Sequence, residues 1–236
     1  VDTGGGNRIL KVLKDTGIQL EDIHDIFITH EHIDHLLGVI WLIRMIGQKK
    51  IGQGKYEGNL RIYCHEELAR SIRMIAELTI QKKVTKYFDD RILFVPVHHG
   101  ETKEILGCPV TFFDIFSTKA KQFGFTMLLP NGVKFTCCGD EPYNEKDYEF
   151  VKGSDWLMHE AFCLFGEADK FKPYEKHHST VKEACQLAEQ LQIPNLVLYH
   201  TEETHLKERK ELYTAEGVQY YHGNLYVPDD LEVFEV

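Results

Sequence analysis

The chain lacks any apolar run long enough for a membrane. Its longest, Leu36 to Ile43, is broken only by Gly38 and falls well short of the ~18 residues that spanning requires. No secretory leader is visible either. Basic charge is in deficit, with 27 Lys+Arg against 37 Asp+Glu and a net charge of −10. That balance opposes tight, general binding to nucleic acid, which needs a basic footprint. Only local basic strips stand out: Lys82, Lys83 and Lys86, and Lys119 with Lys121. The six cysteines (Cys64, Cys108, Cys137, Cys138, Cys163, Cys185) contain no Cys-x-x-Cys pair. Most sit in apolar runs and read as reduced core residues of a cytoplasmic protein. For the adjacent Cys137-Cys138, packing outweighs a metal or redox role, since neighbours on a strand face opposite ways. There is no internal repeat, low-complexity tract or linker. With 236 residues, 43% of them hydrophobic, the chain is expected to form one globular α/β domain over residues 1–236.

What the sequence does have is concentrated at Thr29-His30-Glu31-His32-Ile33-Asp34-His35. His30, His32, Asp34 and His35 are four potential metal ligands between a short apolar run, Ile26-Phe27-Ile28, and the long one that starts at Leu36. Two imidazoles two residues apart can share an ion, and the Asp-His pair further on points elsewhere, so the spacing predicts two adjacent metal sites. A zincin helix, with its two histidines four apart, does not fit. A loop that is merely His-rich is the bland alternative, and clusters at this spacing are usually metal sites.

Along the rest of the chain, Val1-Asp2-Thr3-Gly4-Gly5-Gly6 reads as a strand end and a glycine turn, so preceding residues are expected to be missing. Arg8 to Lys14 has helical spacing and stops at Gly17. Leu36 to Ile46 is apolar nearly all round, as a buried helix is. Residues 47–58 read as a glycine-rich loop, Leu60 to Cys64 as a strand, Glu66 to Ile80 as a helix and Arg91 to Val97 as a strand. His98-His99-Gly100-Glu101 is expected to open a hairpin to Val110–Phe116, its histidines being turn or surface residues. Phe123–Leu129 and Val133–Cys138 pair through Pro130-Asn131-Gly132. Trp156 to Met158 is a strand, Glu167–Lys176 a loop, and His178-Ser179-Thr180 opens a helix capped by Thr180 or Ser179. Strand Leu196–Tyr199 ends at His200, and a last helix with two short strands closes the chain.

His30, Asp140 and His200 each stand as the first polar residue after a short β-type run. In sheets alternating with helices such positions converge on one edge, where ligands collect. Asp140 alone reads as a turn residue and His200 as a satisfied polar one; together with the cluster they read as a binuclear site.

At these residues the chain resembles the metallo-β-lactamase superfamily, whose mark is His-x-His-x-Asp-His. Within it the chain is most similar to the ribonuclease Z branch, through His159-Glu160-Ala161-Phe162 and His178-Ser179-Thr180. The resemblance runs from Asp2 to about His200. It implies the four-layer αββα sandwich of two mixed sheets, with N-terminal strands preceding Val1. It also implies two divalent ions, zinc first and manganese or iron next, His30 and His32 holding one, Asp34, His35 and His200 the other, and Asp140 bridging. The implied reaction is in-line attack of a metal-bound hydroxide on a phosphodiester, with Asp34 as ligand and proton acceptor and Glu160 orienting His178, which protonates the leaving oxygen. Asp2-Thr3-Gly4 would brace the metal loop, or be a plain turn.

Two departures qualify the likeness. The family has another metal-binding His upstream of its Phe-Gly-aromatic element, here Phe123-Gly124-Phe125, and the stretch 114–122 contains none. Phe116 or Thr118 takes its place, which weakens the first metal site or leaves it to water or Asp114. The branch that grips transfer RNA also inserts an arm before the Gly-Asp strand, and here Phe123 runs to Asp140 through one hairpin. The expected partner is therefore a phosphodiester-containing small molecule or an RNA end, with transfer RNA disfavoured, no membrane, and homodimers by analogy with the branch. A thioester, lactone or lactam hydrolase, or a lapsed metal-binding sensor, are the alternatives.

Overall fold

A computed structural model describes residues 1–236. The chain forms two compact units, Val1–His99 with Thr118–Phe123, and Gly100–Ser117 with Gly124–Val236.

The first unit is built on a three-stranded sheet in the order β1 (Asp25–Phe27), β2 (Leu60–Cys64), β3 (Ile92–Pro96), parallel in both pairs. Helices α1 (Arg8–Asp15), α2 (Ile33–Met45), α3 (Glu66–Thr79) and the single turn α4 (Lys82–Thr85) complete it. Parallel strands need crossovers, and each crossover here carries a helix. Apolar residues along α2 bury Leu36, Val39, Leu42 and Ile43 in a core with Ile26, Ile62, Leu68, Ile72 and Ile92. The stretch 47–58, expected as a loop, instead prolongs α2 as a π turn (Ile46–Lys50) and a 3-10 turn (Ile51–Gln53). Its first glycine serves packing rather than turning: a Cβ on Gly47 would lie 2.5 Å from Val84. Buried Ile46 and Ile51 hold the segment to the core, and the chain breaks helix only at Gly54, with φ +68°.

The second unit contains a seven-stranded sheet. Its chain order is β4 (Thr102–Ile105), β5 (Cys108–Asp114), β6 (Phe123–Leu128), β7 (Lys134–Cys137), β8 (Trp156–Glu160), β9 (Asn195–Tyr199) and β10 (Asn224–Tyr226). The spatial order is β10-β9-β8-β7-β6-β5-β4. β4–β5 and β6–β7 pair antiparallel, and β7 to β10 run parallel. This sheet is mixed, as expected, whereas the three-stranded one is parallel throughout. Helices α5 (Tyr148–Val151), α6 (Ala168–Phe171), α7 (Val181–Gln190) and α8 (Arg209–Gly217) flank these strands in sequence. Val181, Ala184, Cys185 and Ala188 of α7 pack with Leu157, Leu196 and Leu198. No helix is long and apolar enough to cross a membrane.

Three local expectations are corrected here. The hairpin does not open at His98 but joins β4 to β5 through Leu106-Gly107, both at positive φ, the geometry that a two-residue hairpin turn requires. Glu167–Lys176 is not a loop: it holds α6 and a 3-10 turn at Tyr174–Lys176. Phe171 packs edge-on to Phe162 and Pro173 is buried, so apolar anchors outweigh the polar composition. Beyond α8 there is one strand, not two.

Candidate active site

In the first unit, the backbone continues past β1 with Ile28 donating to the Tyr63 carbonyl, then leaves the sheet at Thr29 and enters α2 with His32 as N-cap. Burial of Ile26, Phe27 and Ile28 thus fixes where His30 emerges. Asp2 pins this loop. It sits at φ +48°, and its N–H donates to Phe27 O at 2.8 Å. Its carboxylate accepts from the Thr29 N–H at 2.8 Å, the Thr29 hydroxyl at 2.9 Å and His35 Nδ1 at 2.8 Å. Asp2 is therefore a brace and not a plain turn. Thr3 adds a backbone bond to the His35 carbonyl, and Gly38 lets the segment lie against α2, since a Cβ there would be 1.9 Å from Thr3 O.

Proton positions follow from these contacts. A carboxylate only accepts, so His35 carries its proton on Nδ1 and leaves Nε2, which is buried, with its lone pair. The Thr29 hydroxyl spends its proton on Asp2, so the His30 Nδ1 at 2.9 Å from it must be the donor. His30 Nε2 is then left facing His32 Nδ1 at 2.8 Å. The rings of His30 and His32 are 4.4 Å apart and those of His30 and His35 4.2 Å. Asp34 is exposed, with its carboxylate 3.3 Å from His35 Nε2. The unit thus brings His30, His32, Asp34 and His35 together, and this imidazole and carboxylate donor set fits a divalent ion.

In the second unit, β7, β8 and β9 are adjacent and parallel, so their carboxyl ends share one sheet edge. β7 leads to Asp140 through Gly139 at φ +79°, β8 ends on Glu160, and β9 on Tyr199 ahead of His200 at φ +55°. A non-glycine residue in the left-handed region is uncommon and clusters at functional sites. Buried Asp140 lies 3.5 Å from His200 Nε2. The Tyr199 hydroxyl donates to the Gly139 carbonyl, tying the two strand ends together. Burial, with the Cys137 thiol beside it, pushes the Tyr199 phenol well above its ordinary value, so it stays a donor.

Glu160 is fully buried. One carboxylate oxygen accepts from the Ser179 N–H and hydroxyl; the other faces His178 Nδ1 at 3.6 Å. The His178 ring stacks on Phe162 at 4.9 Å and lies 5.3 Å from the His200 ring. Thr180, N-cap of α7, forms a capping box with Glu183 and fixes the chain just after His178. Neighbouring His177 is exposed. His159 is structural: its Nδ1 donates to Glu160 O at 2.7 Å and its Nε2 accepts from the Tyr143 N–H at 3.1 Å. Burial lowers its affinity for a second proton.

The stretch without a histidine behaves differently from expectation. Phe116 is partly exposed at φ +58°, under the Lys146 ammonium at 4.5 Å, and Asp114 caps its N–H at 2.8 Å. The residue that reaches His30 from this stretch is Gln122, buried and 2.9 Å from Nδ1. Sequence reasoning missed it because a buried glutamine has no ligand signature. Tyr199 and Ser179 were missed for the same reason, although each adjoins a candidate. His98 and His99 are exposed. Glu167, Glu202 and His205 also converge, with His205 Nε2 2.9 Å from the Glu167 carboxylate, a contact that the sequence did not flag.

Residues 2–201 match the family model described as the beta-lactamase superfamily domain. A ribonuclease Z from Bacteroides thetaiotaomicron is 25% identical, over 85% of this chain and 75% of its own. The metallo-beta-lactamase fold protein YhfI of Bacillus subtilis superposes with a TM-score of 0.73 at 17% identity, covering 96% of this chain and 83% of that one. Human tRNase Z, short form, gives 0.72 at 20% identity, covering 99% and 86%. Each of the two solved structures shares the fold.

Proposed function

Since the chain belongs to the beta-lactamase superfamily domain family, we propose that it is a metal-dependent phosphodiesterase, with His30, His32, Asp34, His35, Asp140 and His200 as ligands. It is a hydrolase of the metallo-β-lactamase fold, similar to ribonuclease Z, and it uses divalent metal ions. In the proposed assignment His30 and His32 would hold one ion and Asp34, His35 and His200 the other, with Asp140 contributing its carboxylate to the same centre. Zinc suits this donor set best, with manganese or iron next. Such ions, when bound, would lower the pKa of a water molecule towards neutrality and stabilise the charge that develops on a phosphodiester.

The chain's own residues do the rest. Asp2 holds the His35 and His30 tautomers and so aims their Nε2 lone pairs. Asp34, exposed beside His35, is placed to take a proton from the attacking water. Glu160 orients His178, which donates a proton to the departing oxygen. The amides at the start of α7 favour an anion nearby.

The observation that carries the phosphodiester over acyl substrates is the Glu160–His178 pair, 3.6 Å apart, with its imidazole next to that of His200. Expelling an alkoxide from phosphorus calls for a proton donor, and thioester or lactam cleavage has less need of a second one. The relatives named ribonuclease Z point to an RNA end or a smaller phosphodiester as substrate. The reduced, buried state of all six cysteines supports a cytoplasmic location. Assay of bis-p-nitrophenyl phosphate beside thioester and lactam panels tests the assignment, with metal content per chain measured in parallel. Phosphodiester cleavage with two ions bound is expected; acyl turnover alone would sink it.

A further inference from the structure

Residues Thr118–Phe123 group with the first unit although the chain on either side of them belongs to the second. What this short excursion delivers is Gln122. The Phe123 N–H donates to the Thr29 carbonyl at 3.1 Å, and the Phe123 ring lies nearly parallel to His65 at 6.1 Å, with Lys121 over its face. Gln122 is thereby held at 1% exposure, with its amide 2.9 Å from His30 Nδ1.

We propose that Gln122 is a positioning residue for the metal ligand His30: its side-chain oxygen accepts the Nδ1–H and so fixes Nε2 as the coordinating nitrogen. The inference rests on His30 being a metal ligand, as argued above. It starts from Asp2. That carboxylate can only accept, so the Thr29 hydroxyl donates to it and has only lone pairs left for His30. His30 Nδ1 must then carry the proton, and an amide N–H pointed at it would set donor against donor. A half-turn of the Gln122 amide exchanges nitrogen for oxygen at the same 2.9 Å and removes the conflict. Thr29 and Gln122 then share the Nδ1–H from two sides, which fixes both tautomer and ring plane. Metal-bound imidazoles generally donate their other N–H to such a partner, and losing it costs 10–100-fold in metal affinity.

Gln122 does not replace the imidazole that the family pattern would place in this stretch. It meets His30 on the Nδ1 side, away from the nitrogen offered to an ion. The first site therefore depends more heavily on the orientation of the two imidazoles it has.

Cobalt titration of the full metal-free chain, followed by visible absorbance, tests this. Gln122→Leu keeps the bulk and removes the acceptor, and should weaken the His30 site by about 10–100-fold. Gln122→Glu keeps an acceptor in place and should bind at least as tightly as the parent. Equal affinity in parent and Gln122→Leu, or Gln122→Glu failing as badly as Gln122→Leu, would overturn the proposal. If Gln122→Leu does not fold, two-dimensional ¹H–¹⁵N spectra of the histidine side chains in the parent decide: a His30 Nδ1–H tautomer is expected, and an Nε2–H tautomer overturns it. A parent chain that takes up no cobalt would overturn the metal reading itself, a result distinct from uptake that Gln122→Leu leaves unchanged.

Discussion

The carboxylate of Asp2 lies 2.8 Å from Nδ1 of His35, 33 positions away, and decides which nitrogen of that imidazole keeps its lone pair. The same carboxylate takes both protons that Thr29 offers, and through Thr29 it reaches His30. One acidic side chain thus sets the tautomers of two of the proposed ligands, on a loop that Thr3, Gln122 and Phe123 also hold.

Asp2→Asn tests that control. Its amide puts a donor where three donors already converge, at nearly unchanged volume. Metal affinity should fall by about 10–100-fold, read by competition with a chromogenic chelator, while the far-ultraviolet circular dichroism stays that of the parent. Parent-like affinity would show that the brace does not act on the ligands.

Gly38→Ala should reach the same loop by steric means. The new Cβ would stand 1.9 Å from Thr3 O, a backbone atom that cannot rotate aside. Overpacking of this kind costs about 1–3 kcal/mol or more, and at 2–4 °C per kcal/mol for chains of roughly this size it should be plain in Tm. Because the displaced segment carries Asp2, metal affinity should drop together with Tm.

His178→Ala should separate leaving groups. A proton donor contributes about 10²–10⁴-fold in rate when the leaving oxygen is basic. p-Nitrophenolate departs without help, so the loss in kcat should be much smaller for bis-p-nitrophenyl phosphate than for a dinucleotide. Equal losses on both substrates would remove His178 from the role of acid.

Asp147 provides a pH signature unconnected with the metal. It is buried, and burial first, then the nearby charge of Asp114, raises its carboxyl from 3.8 to about 7. The folded state therefore holds this proton more tightly than the unfolded state. Its contribution to stability is present below about pH 4 and is lost as pH rises to about 7. Asp147→Asn should have a higher Tm than the parent at pH 8, with the gap closing towards pH 4. His159 has the opposite sign: burial lowers its pKa below 6.5, so the stability tied to its neutral form is lost on acidification.

Much of this was legible along the chain because it is local. Buried strands announce themselves as apolar runs, so Leu60–Cys64 and Asn195–Tyr199 appear within a residue of where they were read. The residues that leave such strands, His30, Asp140 and His200, were found by the same rule. Composition misled where a few anchors outweigh many polar neighbours, as at Glu167–Lys176, and where glycine serves close packing, as Gly47 does against Val84. Phe116 drew attention by occupying the place where a histidine was sought, yet it sits under Lys146, and the contact with His30 comes from Gln122.

By itself the sequence determined the metal-binding character of the chain, since four ligand-type side chains within six residues need no distant partner to be noticed. It determined most of the run of strands and helices as well, where periodicity is clear. Tertiary structure alone decided which nitrogen each imidazole offers, because that depends on acceptors such as Asp2 and Gln122 that approach from far along the chain. Hydrogen-bond direction is a property of contacts, and contacts between remote residues leave no mark in their spacing.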